Sequence, residues 1–303
     1  MRALVADRSA SSGVSLREAP EPQPGPGEAL VEVRAVSLNR GEVRRMPLRE
    51  EGTIPGWDVA GVMIEGPLAG TRVVGLADEG AWAERVAVPT RDLAVLPENV
   101  TFVQAACLPV AGLTALLALD IAGDVIARRV LVTGASGGVG RLAVQLADIG
   151  GAHVTGVSAT PERARGLTEL GADEIIHELT PDGPTFDVIV EGVGGASLGA
   201  ALQRVAPDGT VVSFASSDQH PVEFPARAFF RGAPGARLYG LFVFHELDKR
   251  GGAGPLLGRL ANLVAADRLD PQIDLEASWR AVGDAIDALV DRRIAGKAVL
   301  HVA

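Results

Sequence analysis

Cysteine is almost missing from this sequence: Cys107 is the only one. That excludes a disulfide within the chain and any multi-cysteine metal site. Cys107 itself, next to Leu108, reads as a small buried hydrophobe. The five histidines (His153, His177, His220, His245, His301) are scattered and form no ligand spacing. No uncharged apolar run reaches the roughly 18 residues that a membrane span needs. The apolar run at the N-terminus, within Met1–Asp7, is too short for a signal peptide. Positive charge is also in deficit, with 28 basic against 38 acidic residues and a net charge of −10. That balance, with no basic cluster, argues against a nucleic-acid partner but still allows a local pocket for a phosphate. The expectation is a soluble, cytoplasmic protein.

What is present is apolar residues and glycine. Of 303 residues, 47% are hydrophobic and 22% charged, enough for one large or two smaller domains with a real core. The most informative stretch is Val130–Gly140, Val-Leu-Val-Thr-Gly-Ala-Ser-Gly-Gly-Val-Gly. It reads as a buried parallel strand running into a glycine turn that opens a helix, with Val139, Leu142, Ala143, Leu146 and Ile149 at helical spacing. Such a turn lets backbone come close to a ligand, and the helix start presents free N–H groups that suit a pyrophosphate. In G-x-G-x-x-G register Ala135 replaces the first glycine, while Gly137 and Gly140 supply the other two. A second strand, His153–Val157, completes a βαβ unit.

Before this unit, residues 1–108 look β-rich, with short strands at Arg2–Ala6, Glu28–Ser37, Asp58–Ile64, Thr71–Gly75 and Ala81–Val88 and a proline-glycine loop at 18–27. These suggest a small barrel or folded-over sheet. In Glu28–Ser37 the set Val31, Val33, Ala35 is wholly apolar, as on a half-buried strand. Residues 97–123 turn helical, with Pro109 separating two helices. From 109 to 246 strands (Val130–Thr133, His153–Val157, Glu174–Ile176, Phe186–Val190, Thr210–Ser213, Arg237–Phe242) alternate with helices such as Pro161–Leu170 and Ala196–Val205, predicting a doubly wound parallel sheet. Its ligand site should lie at the carboxyl strand ends, at Gly134–Gly140 and at Gly192-Val193-Gly194-Gly195. The tail from Gly254 has two amphipathic helices, the second at Trp279–Val290, and a terminal strand, Ala298–Val302. It should return to the first domain.

These motifs together resemble the medium-chain dehydrogenase/reductase superfamily, in its zinc-free quinone oxidoreductase and enoyl reductase branch. The matching stretches are Val33–Asn39, Pro55–Gly61, Gly80–Glu84, Ala105–Ala115, the glycine turn and Gly296–Leu300. The resemblance implies an α/β chain: a discontinuous GroES-like, β-rich catalytic domain (1–108 and 247–303) around a Rossmann domain (109–246), with the active site in the cleft between. Zinc-dependent relatives have a cysteine ligand near Ser37 and a Gly-His-Glu segment at Gly56-Trp57-Asp58. A hydroxyl and an indole are poor zinc ligands, so no metal is expected. Without a Lewis acid, quinones and α,β-unsaturated carbonyls suit the site better than unactivated ketones, because hydride addition puts charge on a conjugated oxygen that hydrogen-bond donors can stabilise.

The resemblance also assigns residues. Asn39, Trp57 and Asp58 are the catalytic candidates, with Asn39 touching substrate or nicotinamide; the alternatives are a turn-capping Asn39 and a Trp57 that is only wall or core. Thr114, Ser136, Gly137, Gly138, Val139, Gly192, Val193, Gly194 and Lys297 are cofactor candidates. Many relatives carry a tyrosine after the Asn segment; this chain has Arg44 and Arg45 there, and its only tyrosine is Tyr239, so water is left as a proton source. At the end of the second Rossmann strand Ser158 stands where NAD-specific sites place a carboxylate. With Arg163 following, this favours NADPH through charge-assisted hydrogen bonds; the alternative is a plain helix-surface arginine. The reading is an NADPH-dependent reductase of quinones or activated alkenes. An enoyl-thioester or 2-alkenal reductase and a non-catalytic NADPH-binding protein remain open. A homodimer is expected through an exposed apolar edge strand at 238–244.

Overall fold

In the computed structural model, which describes residues 1–302, β1 (Arg2–Ala6) and β2 (Val14–Glu18) form an antiparallel ribbon. The long strand β3 (Glu28–Leu38) follows, then α1 (Arg40–Arg45), β4 (Asp58–Glu65), β5 (Arg72–Leu76), β6 (Arg85–Pro89) and β7 (Leu93–Val95). β3 organises the mixed sheet. One edge pairs with β4; the other is shared, with β6 along residues 28–32 and the terminal strand along 35–38. Burial alternates down β3 as its sequence does, with Val31, Val33 and Ala35 inside, until Ala35–Leu38, where every residue is buried. The strand loses its solvent face at the point where it delivers Ser37 and Asn39. Gly61 faces this strand: a Cβ there would lie 2.0 Å from the Glu32 carbonyl oxygen, so only glycine permits the approach. The segment 81–84 forms no continuous strand: the Ala81 and Trp82 N–H groups donate to Gly56 and Pro55, and only a single antiparallel bridge, Ala3 with Ala83, ties the segment to β1.

α2 (Phe102–Ala106) leads into a wide π-type turn, Leu108–Gly112, that contains Pro109, and then into α3 (Leu113–Ala122). The chain divides at this helix: Met1–Leu113 with Leu247–Ala303 form one unit and Thr114–Glu246 the other.

The second unit holds β8 (Arg129–Val132), α4 (Gly138–Ile149), β9 (His153–Val157), α5 (Pro161–Ala164), β10 (Glu174–Ile176), β11 (Phe186–Glu191), α6 (Gly195–Arg204), β12 (Val205–Ser213) and β13 (Arg237–Gly240). All six strands are parallel, in the order β10-β9-β8-β11-β12-β13. The order reverses between β8 and β11, the switch point of a Rossmann sheet, so a ligand belongs at their carboxyl ends. Three expected boundaries move. The strand expected over 210–213 already begins at Val205, which the expected helix over 196–205 includes. The helix foreseen over 161–170 stops at Ala164. The strand foreseen over 238–244 ends at Gly240, and Val243 and Leu247, four apart and buried, belong to α7 (Val243–Arg250). β13 is nonetheless the sheet edge, with Leu238 half exposed.

The tail supplies α8 (Gly254–Ala265), β14 (Ile273–Ser278), α9 (Val282–Val290) and β15 (Lys297–His301). β15 adds antiparallel to β3 and carries β14 alongside it, within the unit that holds Met1–Leu113. The core of that unit joins both parts of the sequence, with Val31, Val33, Val59 and Trp82 clustered with Trp279, Ile286 and Leu300. The architecture is the GroES-like plus Rossmann α/β arrangement. Among the described residues no helix is long and apolar enough to cross a membrane.

Candidate active site

In the first unit β3, β4 and β15 bring Ser37, Asn39, Asp58 and Lys297 together, all buried. Asp58, the first residue of β4, has no exposed surface. Its Oδ1 accepts the Val110 N–H at 2.9 Å, from the π-type turn. Its Oδ2 accepts from the Ser37 hydroxyl, from Asn39 Nδ2 at 2.7 Å and from Lys297 Nζ at 3.4 Å. Lys297 Nζ also donates to Asn39 Oδ1 at 2.8 Å and to the Leu38 carbonyl at 3.3 Å. The Asn39 amide is thus fixed at both ends, oxygen to the ammonium and one N–H to the carboxylate. Its second N–H is left for an acceptor.

Glu42 is the member that sequence reasoning missed. It is fully buried in α1; Oε2 accepts the Asn39 N–H at 2.8 Å and Oε1 the Trp57 N–H at 2.7 Å. The signal was available: Asn39-Arg40-Gly41-Glu42 is an N-cap residue followed three positions later by glutamate. Trp57 forms a wall under this turn, 7% exposed, with the Arg45 guanidinium 5.6 Å from its ring centroid. Arg45 therefore has a packing partner in Trp57.

The cluster holds two carboxylates and one ammonium. Burial, and then the charge of Asp58, push the Glu42 carboxyl up to about 8. An acid whose pKa is higher in the folded than in the unfolded chain binds more protons when folded, so stability falls as pH rises between the two values. The expected result is a loss of unfolding free energy from about pH 4.5 to about pH 8 with a slope up to about 1.4 kcal/mol per pH unit from this group. Denaturant titrations at several pH values check it: the slope should be shallower in Glu42→Gln, and an identical slope in the variant counts against the assignment.

In the second unit, Gly134 has φ of +58° and Gly140 packs against it; a Cβ on Gly140 would sit 2.3 Å from the Gly134 carbonyl oxygen. The third fingerprint glycine is thus what lets α4 lie on the turn. Gly137 is the N-cap of α4, so Gly138 and Val139 stand in its first turn, where N–H groups have no intrahelical acceptor. Ser136 is buried just before them. This is a cradle of backbone donors suited to a pyrophosphate.

The other glycine turn is built by Glu191, which sequence reasoning also missed because the strand seemed to end at Val190. Its buried carboxylate accepts from the N–H groups of Val193 (2.9 Å) and Gly194 (3.0 Å), and from the hydroxyls of Thr133 and Ser197 (both 3.2 Å). The Gly192 N–H donates to Thr133 Oγ1 at 3.0 Å. One carboxylate therefore ties the ends of β8 and β11 together, at the switch point. Ser158, just past β9, is 2% exposed, and its hydroxyl has no hydrogen-bond partner. A buried orphan hydroxyl is costly, and a ligand oxygen at the end of β9 would satisfy it. Arg163 lies half-exposed in α5, and Thr114 is buried in the first turn of α3. The second unit thus fits a dinucleotide.

Residues 138–251 match the zinc-binding dehydrogenase family. The chain is 33% identical over 232 residues to the chloroplast envelope quinone oxidoreductase homolog of Arabidopsis thaliana, covering 67% of this chain and 70% of that one. It is 30% identical over 328 residues to mouse prostaglandin reductase-3, covering 94% and 84%. The chain belongs to the zinc-free quinone oxidoreductase branch of the medium-chain dehydrogenase/reductase superfamily. It is an oxidoreductase. Among solved structures, the mycobacterial protein Rv1454c complexed with NADPH superimposes with a TM-score of 0.87 at 25% identity, covering all of both chains. The zinc-binding match begins after Ser37 and Trp57. The donor set there does not fit zinc: the Ser37 hydroxyl is committed to Asp58, and an indole offers no lone pair.

Proposed function

We propose that this member of the family is an NADPH-dependent reductase that adds hydride to a quinone or to an α,β-unsaturated carbonyl compound. The observation that carries the reading is the Asn39 amide, held between Lys297 and Asp58 with one N–H to spare. When bound, the reduced nicotinamide supplies the hydride. The residues of this chain then have to stabilise the negative charge that moves onto the acceptor oxygen. The spare Asn39 N–H does so, polarised because the ammonium of Lys297 pulls on the amide oxygen. Asp58 and Glu42 keep the amide and the Asn39 backbone in place. Trp57 walls the site. Lys297 acts on the ligand through Asn39, since its Nζ reaches that side chain, Asp58 and the Leu38 carbonyl. A proton from solvent completes the hydroquinone or the saturated carbonyl.

NADPH is preferred to NADH in this reading because no carboxylate stands at Ser158, whose buried hydroxyl lacks a partner, and Arg163 follows. Thr114, Ser136, Gly137, Gly138, Val139, Gly192, Val193 and Gly194 would hold the rest of the cofactor. The relation to a protein complexed with NADPH supports this. Fluorescence titration should show tighter binding of NADPH than of NADH, with the difference lost in Arg163→Ala. Equal affinities in the wild type would remove the phosphate site but keep the reductase. Turnover of a thioester of crotonic acid, with none of quinones or enones, would reassign the acceptor class.

We also propose that two copies pair through the β13 edge, where Leu238 and the nearby Phe242 are half exposed. Light scattering should give the mass of a dimer at micromolar concentration; a stable monomer would discard this pairing.

A further inference from the structure

Arg141 hydrogen-bonds within the second unit. It is the fourth residue of α4, the helix that opens from the glycine turn, and it is 6% exposed. A buried guanidinium is costly unless its N–H groups are used. Here Nη2 donates to two main-chain carbonyls, that of Arg165 at 2.7 Å and that of Arg163 at 3.4 Å. Both lie in the segment that follows β9, so one side chain links the pyrophosphate turn to the segment expected to recognise the ribose.

The link explains why α5 is short. In a longer helix the Arg163 carbonyl would accept the N–H of Leu167. Leu167 instead bonds to Ala164 at 3.1 Å. Arg165 leaves the helical region with ψ of 135°, and Gly166 takes φ of +80°. The apolar spacing of 161–170 is overridden by an arginine that turns two carbonyls toward itself. Arg163 is thereby held in a single turn capped by Thr160, five residues after Ser158 with its unpartnered buried hydroxyl. Two features that suit a phosphate therefore share one short segment, and Arg141 fixes its backbone.

We infer that Arg141 is a positioning residue for recognition of the adenosine 2′-phosphate, acting by clamping the Arg163–Arg165 backbone. The inference rests on the NADPH reading above. It is tested on the whole 303-residue chain by fluorescence titration with NADPH and with NADH, for the wild type, Arg141→Gln and Arg141→Lys. The NADPH dissociation constant should rise about tenfold or more in both variants, as expected for loss of a charge-assisted contact, while that of NADH stays near the wild-type value. Lysine keeps the charge but its ammonium is a single point with a shorter reach and no planar fork, so it should not rescue. NADH affinity doubles as the check that each variant is folded.

Equal weakening of both cofactors would make Arg141 a support of the glycine turn and overturn the inference. So would full NADPH preference in either variant; in Arg141→Lys that result would show that charge alone acts. A wild type that binds both cofactors equally would overturn the NADPH reading and the inference with it. A wild-type preference that survives both substitutions would overturn the inference alone.

Discussion

Lys297→Met is expected to lower the free energy of unfolding by about 3–5 kcal/mol. Lys297 and Asp58 are 3% and 0% exposed and their charged atoms are 3.4 Å apart, with the buried Glu42 carboxyl in the same cluster. Methionine fills similar volume, so the loss is electrostatic rather than a cavity. It leaves Asp58 without its cation and Asn39 Oδ1 without its donor. Chemical denaturation measures it as a lower midpoint at unchanged m. Lys297→Met with Asp58→Asn should recover part of the loss, because the uncompensated charge is then gone. A loss near the roughly 0–1 kcal/mol of an exposed pair, or simple additivity in the double variant, would show that the cluster is not the coupled unit described.

Asn39→Ala should lower kcat by about 10² to 10³, the usual effect of removing one donor to a developing oxyanion. The effect should fall on kcat and kcat/KM together, because the N–H matters most when charge reaches the acceptor oxygen. NADPH affinity should stay as in the wild type if Asn39 serves the substrate. A parallel fall in NADPH affinity would place the contact on the nicotinamide instead. Removing the amide also strips Lys297 and Asp58 of a partner each. The thermal midpoint must therefore be followed beside the kinetics.

The fold was legible because its signals are local and periodic. The alternation in β3, the glycine turn before α4 and the helical spacing of α8 each report a face that must be buried. The parallel sheet follows from strands alternating with helices. What the sequence hid depends on contacts between distant residues. α5 ends early because Arg141, more than twenty positions upstream, captures the carbonyls of Arg163 and Arg165. Asn39, Asp58 and Lys297 each fall within a stretch that resembles the family. Their joint hydrogen bonding was not legible, because Lys297 arrives on β15 after the chain has built the other unit. Glu42 and Glu191 were overlooked for another reason: a charged residue in a short helix or just past an apparent strand end reads as solvent-facing. Both instead spend their oxygens on backbone N–H groups of the turns that carry site residues.

In the proposed function, an anchored Asn39 amide and a bound nicotinamide are enough for hydride transfer to a conjugated carbonyl without a metal. The most direct test follows NADPH oxidation by absorbance in the presence of chelator, with a simple quinone and an enone as acceptors, for the wild type and Asn39→Ala. The wild type should turn over at least one acceptor, unaffected by the chelator, and the variant should nearly lose that turnover at unchanged NADPH affinity. Tight NADPH binding with no oxidation by either acceptor, or turnover abolished by the chelator, would contradict this function.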